Sequence, residues 1–204
     1  MDFAGSHGPS HHFTNHRHGR CHARSFSALK EERVLAASIY KTKAKPVSGD
    51  RNKLIAQAHD ALYLATLLCY AQGLAMLRKA SVQHGMEIPL KDVVTIWRGG
   101  CIIRSSMLEL FTTAFTKKEP HNILVDKKIA SIVKKKQAGL RKIVQLMAGA
   151  RIPGAAMMSA LTYLDAYTSE RMSTNLIQAQ RDFFGAHTYQ RIDKEGSFHT
   201  EWES

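Results

Sequence analysis

Prolines are scarce, five in 204 residues, and no series of short alternating apolar and polar stretches lies between them. That shortage disfavours a sheet-rich fold and points to helices. There is no GxGxxG turn, no P-loop and no HExxH pair, so neither a dinucleotide cradle nor a zincin-type metal site is written in the chain. Acids are thin as well: 17 Asp and Glu face 29 Lys and Arg, giving a formal net charge of +12. Glu31-Glu32 reads as a solvated face, so no convincing pair of carboxylates is left for acid–base work. The three cysteines, Cys21, Cys69 and Cys101, are odd in number and far apart. They fit reduced thiols in a cytoplasmic protein better than a disulfide framework. Long apolar runs are limited to one, Ala61 to Leu77, in which only Thr66 and Gln72 are polar. A helix of that length spans about 25 Å against about 30 Å for a bilayer core, which favours a buried core helix over a membrane span.

Apolar residues make up 44% of the composition, enough for the core of one domain. Residues 1–22 stand apart: they hold six of the eleven histidines among Gly, Ser, Pro and Asn, with almost nothing apolar. They are expected to be a disordered leader not native to the fold. His16 and His18 could bind zinc or nickel loosely, without a fixed ligand set. Helical patterning begins at Ser25 and runs to Tyr40, with Glu31, Glu32 and Arg33 on its exposed side. After a loop through Pro46 and Gly49, Asp50 is placed to cap a long helix from Arg51 to His84, ended by Gly85. Further helices are expected up to Trp97, from Cys101 to Thr116, from Asp126 to Ala150, and from Pro153-Gly154 to Met172. The last, capped by Ser173 or Thr174, closes at Gly185 as the residue after the helix. The fold expected is all-α, built around the long Arg51–His84 helix, with an extended C-terminal tail and no Rossmann domain.

The excess positive charge is uneven. Lys127, Lys128, Lys134, Lys135, Lys136, Arg141, Lys142 and Arg151 fall in one stretch whose only acid is Asp126. Such a run reads first as a solvated helix face. Contact with nucleic-acid phosphates would also produce it, but no aromatics interleave as single-strand stacking favours.

Two places suit a small anion. Arg181 lies in the last turns of a helix and His187 six residues on, beyond Gly185, so a turn there could bring both onto one phosphate or carboxylate. The alternative is a helix-end arginine bonded to nearby carbonyls beside an ordinary surface histidine. In Arg98-Gly99-Gly100-Cys101-Ile102-Ile103-Arg104, glycines before a helix N-terminus could admit a phosphate, although close helix packing would explain them equally well. The tail after Thr188 carries Tyr189, Phe198 and Trp202, too aromatic for a free end, and is expected to pack against something.

These segments resemble a known family. Asn175 to Tyr189, followed by Gly196-Ser197-Phe198-His199-Thr200-Glu201-Trp202, is similar to the C-terminal signature of 6-phosphogluconate dehydrogenase. So are Ser27 to Val34, Ala61 to Gly73, and Trp97 to Arg104. The resemblance spans about Ala23 to Trp202. It implies NADP-linked oxidation and decarboxylation of 6-phosphogluconate to ribulose 5-phosphate, by a cytoplasmic homodimer whose tails exchange between subunits. It implies that Arg181 and His187 hold the substrate in the partner's site, the arginine mainly through the phosphate. Arg24 falls on a further substrate-phosphate arginine. Phe183 stands where the family usually has tyrosine, and Ser173-Thr174 where it usually has Pro-Ala. The domain that binds NADP, with the lysine base and glutamate acid, lies upstream of the matched region. The division implied is a leader (1–22), a helical domain (23–187) and a partner-docking tail (188–204). Such a chain is expected to supply substrate ligands and dimer contacts and to be inactive alone, with neither nucleic acid nor membrane as partner. The remaining readings are a non-catalytic dimerisation module and a basic nucleic-acid binder.

Overall fold

The structure is a computed structural model that describes residues 25–117 and 120–202. The leader and Arg24 fall outside the described residues. The helices are α1 (Lys30–Tyr40), α2 (Arg51–His84), α3 (Leu90–Arg98), α4 (Met107–Lys117), α5 (Lys127–Gly149), α6 (Ala155–Thr168) and α7 (Asn175–Gly185), with a 3-10 turn at Ile123–Val125. The only strands among the described residues are two-residue pieces, β1 (Tyr189–Gln190) and β2 (Ser197–Phe198). The all-α class read from the sequence is the class observed.

Helix α2 organises the core. Asp50 accepts from Lys53 N–H at 2.7 Å and caps its start, and Gly85, at φ +60°, ends it. It is the one helix among the described residues long and apolar enough to cross a membrane. Here Leu64, Leu67, Leu68 and Leu74 are buried among Phe111, Ile129, Leu140 and Leu164 from other helices. Each such side chain contributes about 2 kcal/mol of burial.

The closest helix partner is α5, capped by Asp126 through Lys128 and Ile129 N–H. The approach is tight at Gly139, where an added Cβ would stand 2.8 Å from Asp60 Cβ and 3.1 Å from the Gln57 carbonyl oxygen. Only glycine fits there. Beside it Lys136 Nζ lies 2.5 Å from Asp60 Oδ1 and over the Tyr63 ring, so one charge of the basic run is turned inward. Lys127, Lys128, Lys134, Lys135 and Lys142 remain exposed.

Three boundaries differ from the sequence reading. The first helix is continuous only from Lys30, because Leu29 leaves helical geometry at ψ +51° and residues 25–28 form a separate short helical turn. None of its residues is buried, so its apolar side chains Val34, Leu35, Ile39 and Tyr40 are exposed. The helix expected from Cys101 starts at Met107, and residues 101–106 form a turn. The helix expected to reach Met172 stops at Thr168. The chain divides into two compact units, with the boundary between Leu164 and Asp165.

Candidate functional site

The C-terminal unit is built on α7 and the hairpin that follows. Thr174 is the N-cap residue of α7, but its side chain makes no capping bond. At the other end Gly185 is still helical, and the left-handed residue is Ala186, at φ +48°. The expected glycine stop is therefore displaced by one residue onto an alanine. Thr188 is left-handed too, at φ +59°. His187 sits between two non-glycine residues in a conformation that L side chains disfavour. Such a turn persists only where its surroundings dictate it.

The surroundings are visible. Thr188 N–H donates to Asp182 Oδ1 at 2.9 Å, and Gln178 Nε2 donates to the Thr188 carbonyl. Ala186 N–H donates to the Asp182 carbonyl at 2.8 Å. The His187 ring lies over Gly185, where an added Cβ would come 3.2 Å from Cδ2 and Nε2. A side chain at 185 would make the exposed ring give way by a few tenths of an ångström.

Asp182 is the group that sequence reading missed. It is 0% exposed, and it is the only buried residue between Asp165 and Trp202. Besides Thr188, its Oδ1 faces His199 Nδ1 at 3.0 Å, while Oδ2 accepts from Thr200 N–H and Trp202 Nε1–H, each at 3.0 Å. Burial pushes the carboxyl up. The Thr200 amide, His199 and Trp202 hydrogen bonds, with the His199 charge, outweigh it and hold the group at about 2. The only available signals in the sequence were an acid beside the helix-end arginine and a His-Thr-x-Trp run, neither of which specifies this contact.

The tail is folded back on itself. Tyr189 pairs with Phe198 and Gln190 with Ser197 in an antiparallel ladder. The Tyr189 and Thr200 hydroxyls lie 2.7 Å apart, and Trp202 stands edge-on to Phe183 at 5.9 Å. The aromatic residues do pack, as expected of a tail that is not free.

Arg181 and His187 are both exposed. Arg181 Nη1 lies 3.4 Å from Gln178 Oε1, and the same amide group holds Thr188. Gln178 thus joins the arginine to the turn that carries the histidine. The His187 ring makes no hydrogen bond among the described residues and keeps its donors for solvent or a ligand.

The second candidate lies in the other unit. The 101–106 turn is tied to α2 by Tyr70, whose hydroxyl donates to the Ile103 carbonyl. Gly100 is at φ +139° with no atom near an added Cβ, so backbone conformation, not helix packing, requires glycine there. The turn, α3 and α4 surround an open cavity of about 770 Å³ lined by Arg98, Gly99, Arg104, Ser105, Ser106 and Glu109 among others. Arg98 is committed to Glu109 at 2.7 Å, whereas the Arg104 side chain has no partner among the described residues. The Arg104 guanidinium suits an anion, whereas the start of α4 does not: its Met107, Leu108 and Glu109 amides already donate to Ser105 and Ser106, and the Glu109 carboxylate lines the same cavity. Among the described residues there is no cluster of His, Cys, Asp or Glu able to hold a metal.

The 6-phosphogluconate dehydrogenase, C-terminal domain, family matches residues 18–202. A decarboxylating 6-phosphogluconate dehydrogenase from Lactococcus lactis subsp. lactis is 45% identical over 181 residues, covering 88% of this chain and 38% of that protein. An NADP(+)-dependent, decarboxylating 6-phosphogluconate dehydrogenase from Bacillus subtilis is 41% identical over 182 residues, covering 88% and 39%. A solved structure of the Plasmodium falciparum enzyme, described in apo form and in complexes with its cofactor NADP+ and its substrate 6-phosphogluconate, superposes with a TM-score of 0.81. It is 36% identical and covers 88% of this chain and 39% of that one. The chain thus spans under two fifths of the length of these relatives, and it belongs to the 6-phosphogluconate dehydrogenase family, an oxidoreductase family, in which it corresponds to the C-terminal domain.

Proposed function

We propose that this chain is the substrate-holding and subunit-joining part of a cytoplasmic, NADP-dependent decarboxylating 6-phosphogluconate dehydrogenase. In this reading Arg181 presents a bidentate fork to the 6-phosphogluconate phosphate, and His187 adds a donor able to gain charge. Arg104, beside the start of α4, is a further phosphate donor, and Arg24 is carried only by the family resemblance. The single observation behind the reading is an exposed arginine on α7 and an exposed histidine on the braced turn that follows it, in a chain that belongs to this family. NADP belongs to the family's reaction, and the described residues hold no dinucleotide fold for it. In this reading the chain alone is inert: it orients substrate, and the hydride acceptor and proton-transfer groups belong to the part of the enzyme that binds NADP.

The homodimer and tail exchange belong to the same proposal. Phe184 is 75% exposed and Leu176 80%, too much apolar surface on one short helix for a free arm. A non-catalytic dimerisation module shares this prediction. The proposal takes neither nucleic acid nor membrane as a partner. Purified chain should form no NADPH from 6-phosphogluconate and NADP, and light scattering should find a dimer. Robust turnover would overturn the claim of inertness, and a monodisperse monomer would overturn the claim of dimer contacts. In a full-length relative, alanine at the positions of Arg181 and His187 should raise KM for 6-phosphogluconate far more than KM for NADP. Equal effects on both would point to folding instead.

A further inference from the structure

We infer that Asp182 is a positioning residue for His187, and that docking of the tail sets the anion-holding turn through this one carboxylate. The functional meaning rests on the reading of Arg181 and His187 as phosphate ligands; the coupling itself rests on geometry.

An ionised carboxylate offers about four acceptor sites. Asp182 has four partners, two on each oxygen: Thr188 N–H and His199 on Oδ1, Thr200 N–H and Trp202 Nε1–H on Oδ2. No water is needed to complete the set, and the residue is wholly buried. The first partner belongs to the strained turn. The other three belong to the tail, twelve to fifteen residues from His187 along the chain. A buried carboxylate cannot lose part of this set cheaply, because each donor removed leaves desolvated charge. Undocking of the tail would thus strip three of the four partners and open Asp182 to water. Thr188 would then lose the fixed acceptor that holds it left-handed, and His187 would lose its place over Gly185.

Two variants of the full chain test this by nuclear magnetic resonance. Trp202→Phe removes one tail donor and keeps an aromatic ring, so it tests coupling even if the stronger variant fails to fold. Asp182→Asn keeps the shape but leaves one acceptor oxygen and turns an amide donor toward other donors. The readouts are the Thr188 amide exchange rate, the His187 ring shifts, and their response to added 6-phosphogluconate. Trp202→Phe is expected to speed Thr188 exchange about tenfold and to move the His187 signals. Asp182→Asn should do so more strongly, with exchange in α2 unchanged in both. Thr188 and His187 unaffected by Trp202→Phe would overturn the inference, as would wild-type behaviour of Asp182→Asn. Coupling without any response to 6-phosphogluconate would support the brace and count against the substrate reading. A wild-type response to 6-phosphogluconate that Asp182→Asn leaves intact would overturn the brace and leave the substrate reading standing.

Discussion

Between Ala61 and Leu74 the chain buries one leucine after another, whereas between Asp165 and Trp202 it buries a single residue, and that residue is an aspartate. The first unit is held by apolar area and close helix approach. The second is held by a carboxylate saturated with donors, two short strands and a few aromatic edges. Apolar burial is non-directional and tolerates small adjustments. A buried carboxylate is directional and fails as a set. The difference suits a scaffold in one case and a positioned arm in the other, where side-chain placement matters more than bulk stability.

The comparison can be broken most forcefully from the core side. Phe111→Ala should cost about 3–5 kcal/mol, lowering the main melting transition by calorimetry. A small effect would mean that the α2 core is not the stabilising unit. Gly139→Ala should be nearly as damaging for one methyl, because its Cβ meets Asp60 Cβ and the Gln57 carbonyl. Unchanged stability to urea would show that the α2–α5 approach is looser than described.

Acid distinguishes the units next. Asp182 is held at about 2, below its ordinary 3.8, so its contribution is fully present above about pH 4 and is lost as pH falls through about 2. Trp202 fluorescence, read in a Trp97→Phe background, should hold steady down to about pH 4 and change below it. A transition centred near pH 6 would contradict the assignment. The smallest effect is expected at the Lys136–Asp60 pair, which is partly exposed. Lys136→Met should cost no more than about 1 kcal/mol by chemical denaturation. A larger loss would place electrostatics in the first unit as well.

The first unit was legible in the sequence because apolar spacing, Asp50 and Gly85 all point to the same helix. Its errors lie where backbone geometry overrides pattern, at Leu29 and in the turn before Met107. The second unit was legible only in part. Arg181 and His187 stood out as side chains able to hold an anion. Asp182 did not, because its meaning comes from donors up to twenty residues away that share no periodicity with it. The glycine rule misplaced the helix end for a related reason. The Asp182 and Gln178 contacts hold Ala186 and Thr188 left-handed, so the left-handed positions fall on residues other than the glycine.

Amide and indole hydrogen exchange, compared between wild type and Asp182→Asn, tests most directly the claim that the two units are held by different means. The account predicts that Thr188, Thr200 and the Trp202 indole lose protection together while Leu64 to Leu74 exchange as before. Uniform loss across both units, or loss confined to Thr188 alone, would contradict it.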